Sequence, residues 1–181
     1  MNGWLKFLIA FAVAFLVLMG VKTLLFTVYT VEGEALSPTL VAGDRVVVNR
    51  WSYGLRVGGS DSFFSYGRLG RSAVERGDLV AFENPQDSAD SGVLICRCTG
   101  LPGDTIHVQG QTVVVPGLKD CADADYYWME TIGAGNPLDS RTFGFVPEER
   151  IIGRAITVVY SLDPDESFFD SWRGDRFFLP L

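Results

Sequence analysis

The chain has 181 residues, of which 48% are hydrophobic and 20% charged. That balance excludes a disordered chain and leaves room for one globular domain of ordinary size. With 15 basic against 22 acidic residues the formal charge is −7, which excludes electrostatic binding to nucleic acid. Three cysteines are too few for a disulfide scaffold and lack zinc-site spacing, so neither a metal nor a cofactor is expected. One histidine and three lysines (Lys6, Lys22, Lys119) restrict which general bases the chain can field.

Taken in chain order, the first element is apolar. Residues 7–21 are all apolar or Gly, Lys22 interrupts, and 23–28 resume the run. The stretch reaches the roughly 20 residues a membrane-spanning helix needs, with Lys22 able to snorkel toward the headgroups. Trp4 and Tyr29 suit the two interfaces. A cleaved signal peptide is the competing reading. The length of the run and the absence of a small-x-small site after it favour an uncleaved anchor. The expected division is an anchor over 1–28 and one domain over 29–181. The expected topology is a single pass through the cytoplasmic (inner) membrane, N-terminus inside and the domain on the extracytoplasmic side.

After Tyr29 no stretch carries a convincing helical period. β-branched runs recur at 45–49, 79–82, 93–96, 105–108, 111–115 and 151–160, punctuated by Gly, Pro and Asp. Gly43-Asp44, Gly77-Asp78 and Gly103-Asp104 each lead into one of them. In such a pair Gly supplies φ > 0 and Asp bonds its own turn. The spacing predicts an all-β sandwich or barrel-like body with one N-terminal transmembrane helix. Residues 57–75 and 116–137 read as long loops, of the kind that is functional or mobile.

Motifs then point to a family. Val31-Glu-Gly-Glu-Ala-Leu-Ser-Pro-Thr-Leu40 with Gly43-Asp44, Trp51-Ser-Tyr-Gly-Leu-Arg56 and Arg76-Gly-Asp-Leu-Val-Ala-Phe82 come first. Ile95-Cys-Arg-Cys-Thr-Gly-Leu-Pro-Gly-Asp104, Asp139-Ser-Arg-Thr-Phe-Gly-Phe-Val-Pro147 and Ile152-Gly-Arg-Ala155 follow. Together, in this order, they resemble the boxes of the signal peptidase I family over about residues 5 to 160. The resemblance implies a membrane-anchored serine endopeptidase that removes signal peptides. In that family a serine attacks the scissile carbonyl, and a buried lysine, kept neutral by desolvation, takes its proton.

The reacting positions depart from that pattern. Counting from Pro38, the nucleophile position is Ala35. Counting from Gly100, the lysine position is Cys96. The position of the serine that assists the lysine is Pro137. The resemblance thus implies a fold without its dyad. Ser37 reads as a turn hydroxyl, Lys22 belongs to the anchor, Lys119 to an acidic loop, and His107 to a strand outside the lysine position. Cys96 is expected to be small apolar filler with a raised thiol pKa. Cys98 shares its face, where parallel Cβ vectors oppose a disulfide between the two; an oxidised pair with Cys121 stays open. Asp139 and Arg141 are expected to hold the cleft in shape as an ion pair, together with Pro38, Gly103 and Asp104. The loop aromatics Phe63, Phe64 and Tyr66 fit either packing or contact with the bilayer, and the tail residues Phe168, Phe169, Trp172, Phe177 and Phe178 are expected to pack.

Two functional readings remain. One is a catalytically silent, membrane-anchored module that binds signal peptides or exported pre-proteins, with an active paralogous signal peptidase as a further expected partner. The other is an active signal peptidase I working through altered residues. The missing groups favour the first, because a fold carries no activity without its site.

Overall fold

The structure is a computed structural model that describes residues 3–33, 36–58, 65–86, 92–108, 110–119, 123–133, 138–164, 166 and 171–181, Thr23 by its backbone only. Helix α1 (Gly3–Leu25) is apolar on all sides. Its segment Gly3–Lys22 is long and apolar enough to cross a membrane, and none of it is buried in the body. The apolar run does not stay helical through Val28. Phe26-Thr-Val-Tyr-Thr30 alternates between exposed and half-buried positions as strand β1 (Phe26–Thr30), because β-branched and aromatic residues fit a half-buried pleated surface. Tyr29 therefore lies in a strand rather than at a helix end, and it packs against a hydrophobic cluster of the body. The junction is fixed where the Arg50 N–H donates to the Leu25 carbonyl at 2.8 Å.

The body is all-β. The strands are β2 (Asp44–Asn49), β3 (Leu55–Val57), β4 (Gly67–Leu69), β5 (Leu79–Glu83), β6 (Val93–Gly100), β7 (Thr105–Val108), β8 (Gln111–Val114), β9 (Tyr126–Glu130), β10 (Val146–Pro147), β11 (Ile151–Ser161) and β12 (Leu179–Pro180). A short helix α2 (Ser140–Phe143) precedes β10. One antiparallel sheet runs β1-β2-β11-β5-β6-β9-β10, with β12 added to β11; β3–β4 and β7–β8 form separate hairpins. Register shifts along β11 and at Cys98/Gly100 of β6 bend the curled sheet locally, as bulges do. At Gly153 the backbone of Asn49 comes so close that an added Cβ would lie 2.2 Å from its carbonyl oxygen.

Side-chain alternation along β5 and β6 splits the interior in two. Val80, Phe82, Cys96 and Cys98 join Tyr53, Tyr127, Met129, Val146 and Ile151 in one cluster. Leu79 and Ala81, flanked by Val93 and Ile95, join Leu36, Leu40, Val46, Val48, Ile152, Ala155 and Val158 in the other.

Both expected long loops contain structure. The 116–137 stretch includes β9, whose Tyr127-Trp-Met129 core is buried and which pairs with β6. The 57–75 stretch includes β4. Arg68 of β4 is buried and donates to Gly54 O (3.1 Å), Glu148 O (2.9 Å) and Ile151 O (2.5 Å), which ties the hairpin to the body.

The three Gly-Asp turns share one design. Gly43, Gly77 and Gly103 have φ of 90°, 98° and 88°, the left-handed region. Asp44, Asp78 and Asp104 each donate a backbone N–H to the carbonyl three residues back and accept that residue's N–H on Oδ2. The neighbouring chain closes each turn: Val31, Cys98 and Val115 accept from the Gly N–H and donate to the Asp carbonyl. An arginine then pairs with each carboxylate, Arg176 on Asp44 (2.7 Å), Arg154 on Asp78 (3.2 Å) and Arg76 on Asp104 (2.6 Å).

Candidate functional site

Cys96 lies on β6 opposite Val80 of β5. It is 1% exposed, packed in the apolar cluster, and carries a free thiol. Its nearest polar partner is the Leu138 carbonyl, 4.0 Å from Sγ. Burial, reinforced by the Asp139 carboxylate and only partly opposed by Arg141, pushes the thiol up to about 12. Cys98 is free and buried on the same face, and burial, with Asp78 adding to it, pushes its thiol up to about 12 as well. The expectation of apolar filler with a suppressed thiolate matches this geometry. Ala35, Pro137 and Cys121 lie outside the described residues, as do Phe63, Phe64, Phe168 and Phe169.

Next to Cys96, Asp139 caps α2. It is fully buried and accepts from Arg141 N (2.9 Å), Arg141 Nε (3.0 Å), Thr131 N (3.0 Å) and Thr131 Oγ1 (3.0 Å). Burial raises its pKa, but the Arg141 side chain and the backbone donors outweigh that and hold the carboxyl below its usual range. Ser140 Oγ accepts the Met129 N–H at 2.9 Å. The Asp-Ser-Arg box thus fastens α2 to β9 and to residue 131, with every carboxylate oxygen engaged. Nothing in this arrangement leaves a proton acceptor aimed at Cys96.

The other singled-out residues lie apart from Cys96. Leu36 is buried in the second cluster, Ser37 is half-buried and Pro38 exposed, in a turn closed by Leu40 N–H on Leu36 O at 3.1 Å. Gly103 and Asp104 form the turn between β6 and β7. His107 is exposed on the β7–β8 hairpin, its Nδ1 3.1 Å from Thr112 Oγ1. Lys6 and Lys22 sit on α1, and Lys119 is exposed. Tyr53, from the Ser-Tyr-Gly-Leu-Arg box, is buried and donates its hydroxyl to Asp78 at 2.8 Å, while Arg56 pairs with Glu83 at 2.7 Å. Of the aromatics, Tyr66 accepts from Arg68 Nε at 2.6 Å and Trp172 stacks on Tyr160 with ring centroids 5.6 Å apart; Phe177 and Phe178 are exposed.

Sequence reasoning missed a pocket of about 140 Å³ lined by Tyr29, Arg50, Arg56, Glu83, Val93 and Ile152. These residues come from five strands and the turn after β2, so no local motif joins them. Several strand edges also stand open among the described residues, and two of them bear on the pocket. β1 pairs only with β2. β6 pairs with β5 along its first half, but with β9 only from Arg97 onward. An edge of unpaired N–H and C=O groups can accept an added strand.

Comparison with known proteins places this geometry in context. A family profile described as "Signal peptidase, peptidase S26" matches residues 4–123. The protein named "Probable signal peptidase I-2" of Synechocystis sp. strain PCC 6803 is 28% identical over 174 aligned positions, covering 85% of this chain and 72% of that relative. "Signal peptidase IB" of Staphylococcus aureus strain Mu50 is 28% identical over 185 aligned positions, covering 83% of this chain and 86% of the relative. With the all-β body behind an apolar helix and the boxes in their order, the match over most of its length establishes that the chain belongs to the signal peptidase I family.

Proposed function

We propose that this chain is a catalytically silent member of the signal peptidase I family: a membrane-anchored module that binds signal peptides or exported pre-proteins without cleaving them. The observation that carries the reading is Cys96, which occupies the position expected of the general-base lysine. A thiol pushed up to about 12 stays protonated at neutral pH. It can neither take a proton from a nucleophile nor attack as a thiolate. Ala35 at the nucleophile position supplies only a methyl group. The chain's three lysines lie on α1 and at position 119, and the carboxylate beside Cys96, that of Asp139, has both oxygens engaged by Arg141 and Thr131.

The open edges of β1 and β6 support retained peptide binding by strand addition. In this reading α1 spans the cytoplasmic membrane once, with its N-terminus inside and the β domain on the far side, so the groove meets exported chains as they emerge. An active paralogous signal peptidase would then perform the cleavage. The test is binding without turnover. Full-length protein in detergent should bind a fluorescent signal-peptide-derived peptide, measured by anisotropy, and return it intact by mass spectrometry. Failure to bind any such peptide would remove the binding role; recovery of cleaved peptide would remove the silence.

A further inference from the structure

The pocket of about 140 Å³ joins β1 and β6, two strands with open edges. Tyr29 of β1 and Val93 of β6 wall the same space, with Ile152 as its third less polar wall. The remaining lining is charged. Arg56 and Glu83 face each other at 2.7 Å and neutralise one another. Arg50 is left over. It is half-buried, its backbone N–H is spent on Leu25 O, and among the described residues no carboxylate or carbonyl accepts from its guanidinium. Burial pushes the Tyr29 hydroxyl above its ordinary pKa, against the pull of Arg50, so it stays protonated and can donate. The pocket therefore offers one uncompensated positive charge and a hydroxyl donor between apolar walls, where a charged hydrogen bond is stronger than in water.

We propose that this pocket receives an acidic side chain of the extended peptide that pairs with the open strand edge, with the Arg50 guanidinium as its partner and Tyr29 as a second donor. The inference rests on the peptide-binding reading above and adds to it a charge preference. A carboxylate matches the planar fork of a guanidinium. Because side chains alternate along a strand, only one register of the peptide places its acid in the pocket. Arg50 also opens the turn after β2 and meets the last residue of α1 through its own N–H, where a lipid phosphate could reach it. The walls contributed by β1 and β6 favour a peptide, and the experiment separates the two.

The experiment uses the full-length protein in phosphatidylcholine nanodiscs. The probes are short fluorescent peptides of Ala and Val, each with a single Glu or Gln moved along the chain. The expected result is one register at which Glu binds about ten- to a hundredfold more tightly than Gln, the range of a charge-assisted hydrogen bond, and less so at high salt. Arg50→Gln should erase that preference with the thermal melt unchanged, and Arg50→Glu should transfer the preference to Lys peptides. Equal binding of Glu and Gln peptides at every register would overturn the charge preference while leaving the groove in place. Absence of binding by any peptide would overturn both. If Arg50→Gln instead abolished retention of added phosphatidylglycerol with no change in peptide discrimination, the site would belong to lipid and the proposal would fall.

Discussion

β6 and the turn that follows it hold two opposite solutions on one run of chain. At Gly103-Asp104 the turn is held by polar pairs: Gly103 N–H on Val115 O, Asp104 N–H on Leu101 O, and Asp104 Oδ2 accepting from both Leu101 N–H and Arg76. At Cys96 the packing is apolar, and among the described residues the thiol's hydrogen-bond partner is the Leu138 carbonyl at 4.0 Å. The turn needs its polar set to exist, since a buried backbone group without a partner destabilises by about 1–3 kcal/mol. The Cys96 slot needs only volume. The fold and the chemistry are therefore separable here: the scaffold can persist with its reactive slot filled by packing atoms.

Substitutions that break the matched side of this comparison should have the largest effects. Gly43→Val places a Cβ 1.8 Å from Leu162 O at a φ of 90°. It should cost about 4 kcal/mol or more, the range of severe steric and backbone damage, and leave no cooperative thermal transition for the domain. Asp44→Asn should cost about 2–4 kcal/mol, because Asp44 is fully buried and Arg176 is largely so. The same carboxylate sets a pH dependence. Burial raises its pKa, but the Arg176 side chain and the Val41 N–H outweigh that, so the folded value lies below the ordinary 3.8. Its stabilisation is complete above that ordinary value and is lost as pH falls through the depressed one. Denaturant melts of the wild type should weaken below about pH 4, and Asp44→Asn should flatten that acid limb. A limb unchanged by the substitution would assign acid sensitivity elsewhere, Asp139 first.

Gly103→Val tests the turn more gently. A side chain there meets nothing within 4 Å, so only the backbone strain at φ 88° acts, worth about 1–3 kcal/mol. An unchanged melt would refute the left-handed turn. On the packed side, Cys96→Val should change stability by less than about 1 kcal/mol, since a volume-conserving apolar swap is tolerated. In the native protein Cys96 and Cys98 should stay unlabelled by thiol reagents at neutral pH and react on denaturation. Rapid native labelling of Cys96 would show an exposed thiolate and break the contrast.

The sequence made the scaffold legible where local chemistry determines local geometry. The Gly-Asp pairs announce their turns because only Gly adopts that φ easily, and β2, β5, β7, β8 and β11 follow from β-branched runs. β1 was hidden because Phe26-Thr-Val-Tyr-Thr continues an apolar segment, and apolarity alone does not distinguish a membrane helix from a half-buried strand. β9 was hidden because Gly117 and the acidic residues up to Asp125 read as loop, while the aromatics after them earn strand status only by pairing with β6. β12 consists of Leu179 and Pro180, too short to carry a period. Cys96 was legible through its distance from Gly100. The pocket was not: Arg50 follows a strand with no feature of its own, and its partners arrive from β1, β3, β5, β6 and β11.

The most direct measurement is cleavage of a pre-protein by the purified full-length wild type in detergent, beside Ser37→Ala, Cys96→Ala and His107→Ala variants and the double substitution Ala35→Ser with Cys96→Lys. The account predicts no product above background from the wild type, and no labelling by serine-reactive acylating inhibitors. It predicts at most faint activity from the double substitution, because Pro137 cannot supply a hydroxyl to orient a new lysine and a misplacement of about 1 Å can cost on the order of 100-fold. Robust wild-type cleavage that any one of the three single substitutions abolishes would contradict the account and identify the residue that does the work.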